Sequence, residues 1–181
     1  MSTLAPYATL ISIAERSQKV AIELPARENA QTHWNGVGFN LLGQRFVAPL
    51  VEVAELMRLP PSTRVPGVKN FVIGVANVRG RLMAILDLVL FFGRSSALPR
   101  NQRRILAMEE DEQYLGFLVD ESLGMQHFPS DSYEEGAGEL EDLFRPYVQG
   151  GYRVGGVFWP VMSLRVVAED PEILKLAQQT A

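Results

Sequence analysis

A chain of 181 residues with 47% hydrophobic and 21% charged side chains has the apolar material for a core and is too hydrophobic to stay disordered. Its net charge of -4, with both signs mixed along the sequence, offers no basic field to nucleic acid or to an anionic membrane surface. There is no cysteine, which removes disulfides and thiolate chemistry; no export-signal pattern is present, and no apolar run reaches the ~20 residues of a membrane span, so the expected location is the cytoplasm.

In chain order, residues 6 to 22 carry apolar positions at helical spacing, Leu10, Ile11, Ala14 and Ala21, and Pro25 ends that helix. A polar stretch to Asn35 leads to Gly36 and Gly38, where the pattern becomes period-two and a domain boundary is expected. Val37–Leu42 and Arg45–Leu50 read as a hairpin turning at Gly43-Gln44, and residues 51 to 59 fit either strand or helix before Pro60-Pro61. A second hairpin, Phe71–Val78 and Arg81–Leu86, bends at Arg79-Gly80; its first strand is almost continuously apolar, as in the middle of a sheet. Asp87 caps a short helix that Gly93 ends.

After the Arg94–Gln102 linker, strands are expected at Arg103–Glu109, Gln113–Asp120 and Leu123–Phe128. Residues 129 to 146 read as a long acidic loop or a loosely attached helix. Val148–Val154 and Val157–Met162 form a hairpin around Gly155-Gly156, and Pro171–Gln179 a terminal helix. About nine antiparallel strands result, with no βαβ alternation, and the linker divides them into two groups suited to two small barrels.

The search for chemistry yields little. His33 and His127 have no second ligand at i, i+4 spacing, and the serine-hydrolase elbow and both glycine-rich phosphate loops are absent, so no catalytic residue, metal site or cofactor is expected. The Asp120-Glu121 pair could do acid/base work only if burial separated their titrations, and otherwise reads as a solvated turn. Arg94, Arg100, Arg103 and Arg104 lack the interleaved aromatics of a nucleic-acid surface and read as a solvated linker. Of Phe91, Phe92, Phe158 and Trp159, three are expected in the core. One polar feature stands out: Asn77, Arg79 and Arg81 flank the turn of the most hydrophobic hairpin. Gly80 serves the bend, whereas the planar Arg79 guanidinium suits directed hydrogen bonds to a partner as well as plain solubility.

The run VPGVKNFVIGVANVRGRLMAILDL, residues 65 to 88, resembles the CheW-like domain signature: a Val-Pro, a glycine before the strand, Asn77, Arg79 and Gly80 at the turn, and a hydrophobic strand ending in Asp87-Leu88. FNLLGQRFVAPLVEVAEL and LGFLVDESLGM extend the likeness to roughly residues 37 to 167. The resemblance implies a mainly β fold of two intertwined five-stranded SH3-like barrels over residues 36 to 170, with an N-terminal helical extension (1 to 35) and a C-terminal helix (171 to 181). It implies a non-enzymatic adaptor that joins the cytoplasmic tip of a methyl-accepting chemoreceptor, held in a groove between the barrels, to a CheA-type histidine kinase. Asn77, Arg79 and Gly80 would face the receptor, and Val53, Glu55 and Gly74 the kinase or the receptor. Where the family has a final Asp-Leu, this chain reads Ser163-Leu164. The extension, the VANVRGRL core and GMQHFP at 124 to 129 are similar to the type IV pilus (PilI) branch of twitching-motility signalling. A small-ligand- or oligonucleotide-binding barrel is the alternative.

Overall fold

The computed structural model describes the backbone of residues 32 to 178 and side chains as far as Lys175; the helix expected over residues 6 to 22 lies outside these residues. The described chain forms β1 (His33–Leu41), β2 (Gln44–Pro49), β3 (Glu55–Arg58), β4 (Val72–Val78), β5 (Arg81–Asp87), helix α1 (Leu88–Phe91), β6 (Arg104–Glu110), β7 (Gln113–Val119), β8 (Glu121–Pro129), β9 (Tyr133–Glu135), β10 (Val148–Val154), β11 (Val157–Met162), α2 (Leu164–Ala168) and α3 (Pro171–Gln178). Turn chemistry accounts for much of this. Left-handed backbone at Arg79-Gly80 (φ 53° and 84°) and at Gly155-Gly156 (φ 58° and 79°) is the conformation that two-residue hairpin loops require. The first hairpin turns at Leu42-Gly43, one residue earlier than expected, with φ 54° and 78°.

Two sheets result: β8-β1-β2-β11-β10-β9 makes the first barrel and β3-β6-β7-β5-β4 the second. The chain crosses between them twice, through Leu50–Ala54 and at Asp120. The second sheet is therefore an insertion within the first, and the Arg94–Gln102 linker lies inside the second barrel instead of dividing the strands into two groups. Parallel pairing ties the ends together, β2 beside β11 and β5 beside β7. Eleven strands replace the nine expected: β3 resolves the ambiguous segment, and β9 adds a short edge where a long loop was read. β1 also begins at His33, upstream of the expected boundary at Gly36. β4 is an edge strand, not a central one.

The core has three compartments. A large one between the sheets holds Phe39, Phe46, Leu106, Phe117, Phe144 and Leu164. Met83, Ile85, Ile105 and Leu118 fill the second barrel. Val47, Phe128 and Tyr152 fill the first, with Trp34 stacked on Tyr152 at 4.8 Å and Trp159 edge-on to Phe128. Neighbouring residues such as Ile105 and Leu106, or Phe117 and Leu118, face different compartments, which makes these strands apolar on both sides. Gly36 and Gly38 leave the room that the Trp34 and Trp159 rings occupy. Phe91, Phe92 and Trp159 pack half-buried against these cores, while Phe158 lies beneath the Arg153 guanidinium and covers Gly138 and Gly151. Among the described residues, no helix is long and apolar enough to cross a membrane.

Candidate functional site

The β4–β5 hairpin ends with Val78 opposite Arg81 and the Arg79-Gly80 turn beyond them. Asn77 closes that turn from within, its Oδ1 accepting a hydrogen bond from the Gly80 N–H at 2.9 Å. Arg79 is left standing outward with its side chain 79% exposed, yet fixed in direction: Nη2 donates to Glu55 Oε1 at 2.7 Å. Glu55 begins β3, at the opposite edge of the same sheet, so this ion pair spans the mouth of the curled sheet. Next to it Arg81 pairs with Glu109 and lies 5.1 Å above the Tyr114 ring. Burial pushes the Tyr114 hydroxyl above the ordinary tyrosine value, and the Glu55 charge adds to the shift. Two arginines, two glutamates and a tyrosine thus form a fixed polar array at one end of the second barrel.

The six residues implicated by the family resemblance separate by position. Arg79 and Glu55 are bonded to each other, and Asn77 and Gly80 shape the turn that presents Arg79. Gly74 and Val53 are not part of that tip. Gly74 lies where Thr63 pairs with Val75 to seal the other side of the barrel; a Cβ there would stand 2.3 Å from the Thr63 carbonyl oxygen. Val53 packs half-buried against the inter-barrel core.

Beside the hairpin runs an apolar groove of about 380 Å³, with Val75, Leu82 and Ala84 among its floor residues and Val68, Ile173 and Leu174 on its sides. It continues the inter-barrel face of the second sheet beyond the area that the first barrel covers. Leu82, paired in register with Asn77, is 71% exposed at its rim. Neither Leu82 nor the α3 residues stood out in the sequence. The available signal was β5 itself, whose apolar residues fall on both faces although only one face packs into the barrel interior.

The other candidates have structural partners. Arg103 belongs to no solvated linker: it is 2% exposed, its guanidinium donates twice to the equally buried Asp87 at 3.0 and 2.8 Å, and it also reaches the Leu118 and Val119 carbonyls. The linker sequence could not show that its third arginine turns inward to an acid at the end of β5. Asp120 accepts from the Leu42 N–H at 2.7 Å and from the Ser96 hydroxyl, and the neighbouring Glu121 accepts from Asn40 at 2.8 Å. Both carboxylates therefore hold the second crossing in place. His127 Nδ1 lies 2.6 Å from Asn35 Oδ1, and among the described residues no cluster of metal-ligating side chains forms.

The CheW-like domain family matches residues 35 to 172, most of the chain. The protein belongs to the CheW-like family. Protein PilI of Pseudomonas aeruginosa is 41% identical to it over 172 residues, covering 95% of this chain and 96% of that protein. The chemotaxis protein CheW of Helicobacter pylori is 28% identical over 103 residues, 57% of this chain and 62% of that protein. The crystal structure of the scaffolding protein TtCheW from Thermoanaerobacter tengcongensis superposes with a TM-score of 0.67 at 20% identity, over 78% of this chain and 96% of that one, and so shares the two-barrel CheW-like fold. The hairpin tip and its groove are accordingly features of a CheW-like domain, in a chain related along nearly its whole length to Protein PilI.

Proposed function

We propose that this CheW-like protein is a cytoplasmic, non-catalytic adaptor that couples the cytoplasmic tip of a methyl-accepting chemoreceptor to a CheA-type histidine kinase, in the chemosensory system that controls type IV pilus twitching. Residues 36 to 170 form the coupling unit, with residues 1 to 35 as an extension and residues 171 to 181 as a helical tail. The observation that carries the reading is the exposed Arg79, held in direction by Glu55 at the rim of an apolar groove. A guanidinium on a rigid turn recognises carboxylates or helix-end carbonyls with defined geometry, and the neighbouring groove takes the apolar face of a helix. The barrels present these surfaces preformed, so a shift in the bound receptor changes the population of active kinase by moving the scaffold as a rigid body.

The test is binding of a receptor tip fragment and of the kinase regulatory region to the full chain and to Arg79→Ala. Wild type binds both, and folded Arg79→Ala binds the kinase while losing receptor affinity by a factor of about 10, the loss of one charge-assisted pair. Unchanged receptor binding by a folded Arg79→Ala removes the hairpin from the proposal. Failure of wild type to bind either partner removes the adaptor function.

A further inference from the structure

The first crossing between the barrels contains an acid with an unusual set of partners. Glu52 lies between β2 and β3, one residue before Val53 and three before Glu55. Its carboxylate reaches into the start of α2: Oε1 accepts from the Ser163 hydroxyl at 2.9 Å, and Oε2 from the Leu164 N–H at 2.7 Å and the Arg165 N–H at 3.3 Å. Ser163 in turn accepts from the Val166 N–H at 3.2 Å as the cap of that helix. Ser163 itself carries no charge. The negative charge that a helix N-terminus favours comes from the crossing segment, 111 residues upstream in sequence.

What Glu52 holds is not confined to α2. Ala168 at the end of α2, and Ile173 and Leu174 in α3, line the apolar groove. The junction between these helices is fixed by Asp170, which accepts from the Tyr147 hydroxyl at 2.8 Å and caps α3 through the Glu172 N–H at 2.8 Å. Lys69 pairs with Glu172 across the groove mouth, and Arg165 Nε bonds to Glu110 of the second barrel at 2.8 Å. A continuous path of bonds and short chain links therefore runs from Arg79 through Glu55 and the crossing to Glu52, and from there to the helical side of the groove.

We propose that Glu52 is a clasp between the barrels: a positioning residue that ties the crossing segment beneath the Arg79–Glu55 tip to the helices walling the groove, so that the two halves of the binding surface move together. This rests on the adaptor function proposed above, for which the groove and tip form one receptor surface. A local acid at residue 163 would cap α2 without touching the crossing, and this separates a clasp from a simple cap.

The experiment uses the full chain as wild type, Glu52→Ala, and Glu52→Ala with Ser163→Asp. Amide hydrogen exchange across Leu164–Ala168 reads the cap. Binding of a receptor tip fragment reads the surface. Because the chain has no cysteine, spin labels on cysteines introduced at Arg58 and Val157, one on each barrel, read the inter-barrel distance. Glu52→Ala is expected to speed exchange in α2, to broaden the distance distribution, and to weaken fragment binding by about fivefold, the low end of ordinary site-to-site coupling. Adding Ser163→Asp should restore slow exchange and leave distance and binding impaired. Recovery of all three readouts would make Glu52 a cap alone and overturn the clasp, as would a wild-type distance distribution in Glu52→Ala. If even the wild type fails to bind the fragment, the adaptor function fails, and the label distances still decide the clasp.

Discussion

The β4–β5 and β10–β11 hairpins follow the same local plan and reach different ends. Each turns through two residues of left-handed backbone, returns along a strand, and passes through an oxygen-bearing cap, Asp87 or Ser163, into a short helix. In the first hairpin the tip carries Arg79 and the cap is a buried acid matched by Arg103 of the same barrel, which also reaches Asp120 at the second crossing. In the second the tip is two glycines without side chains, the cap is neutral, and its acid comes from Glu52 in the crossing. Identical local grammar thus builds one unit that displays a side chain and carries its own buried acid, and one whose acid must come from the crossing between the barrels.

The sharpest way to break this comparison is to remove the two sets of partners. Arg103→Ala takes the bidentate partner from buried Asp87, leaving it only the Arg100 guanidinium at 3.4 Å, and should lower stability by roughly 3 kcal/mol in denaturant unfolding. Ser163→Ala removes a neutral cap and one of the three donors to Glu52, and should cost about 1–2 kcal/mol by the same measurement; equal losses at the two sites would erase the distinction. Smaller still is Arg79→Gly. It relieves about 1 kcal/mol of left-handed backbone strain while giving up an exposed ion pair and gaining glycine's unfolded-chain entropy, so stability should stay within about 1 kcal/mol of wild type. Receptor-fragment affinity should nonetheless fall, placing the first tip's arginine in recognition and not in folding.

The smallest effect concerns the helices after the second hairpin. Burial, and then the hydrogen bond to Asp170, push the Tyr147 hydroxyl well above its ordinary value of 10.0. The folded chain therefore favours the protonated phenol, and this contribution is present below pH 10 and lost as the pH rises beyond it. Tyr147→Phe should make the alkaline loss of stability shallower in a pH series of unfolding curves, with a residual slope from Tyr114 and Tyr152, which burial also raises.

What the sequence made legible was set by range. Glycines at the turns identified both hairpins, and Asp87 identified the start of α1, because these depend on residues within a few positions. The edge position of β4 was hidden for a physical reason: one face fills the barrel and the other includes a groove-lining valine, Val75, so an edge strand shows the unbroken apolar run of a central one. β9 has the sequence Tyr-Glu-Glu and exists only through its pairing with β10. The inward turn of Arg103 and the reach of Glu52 depend on partners far away in sequence. At the candidate site the turn residues Asn77, Arg79 and Gly80 were readable, whereas the groove beside them was not, since its far wall is contributed by helices near the other end of the described chain.

The insertion of one sheet within the other also sets an order of assembly during synthesis. Residues 55 to 119 contain every strand of the second barrel, so it can close while later segments are still being made. The first barrel cannot: its β1–β2 hairpin must wait for β8 and for β11, whose Val161 aligns beside Val47. Until then its apolar face has no partner except the finished second barrel, and that early docking would leave the tip bearing Arg79 formed before the surface around it is complete.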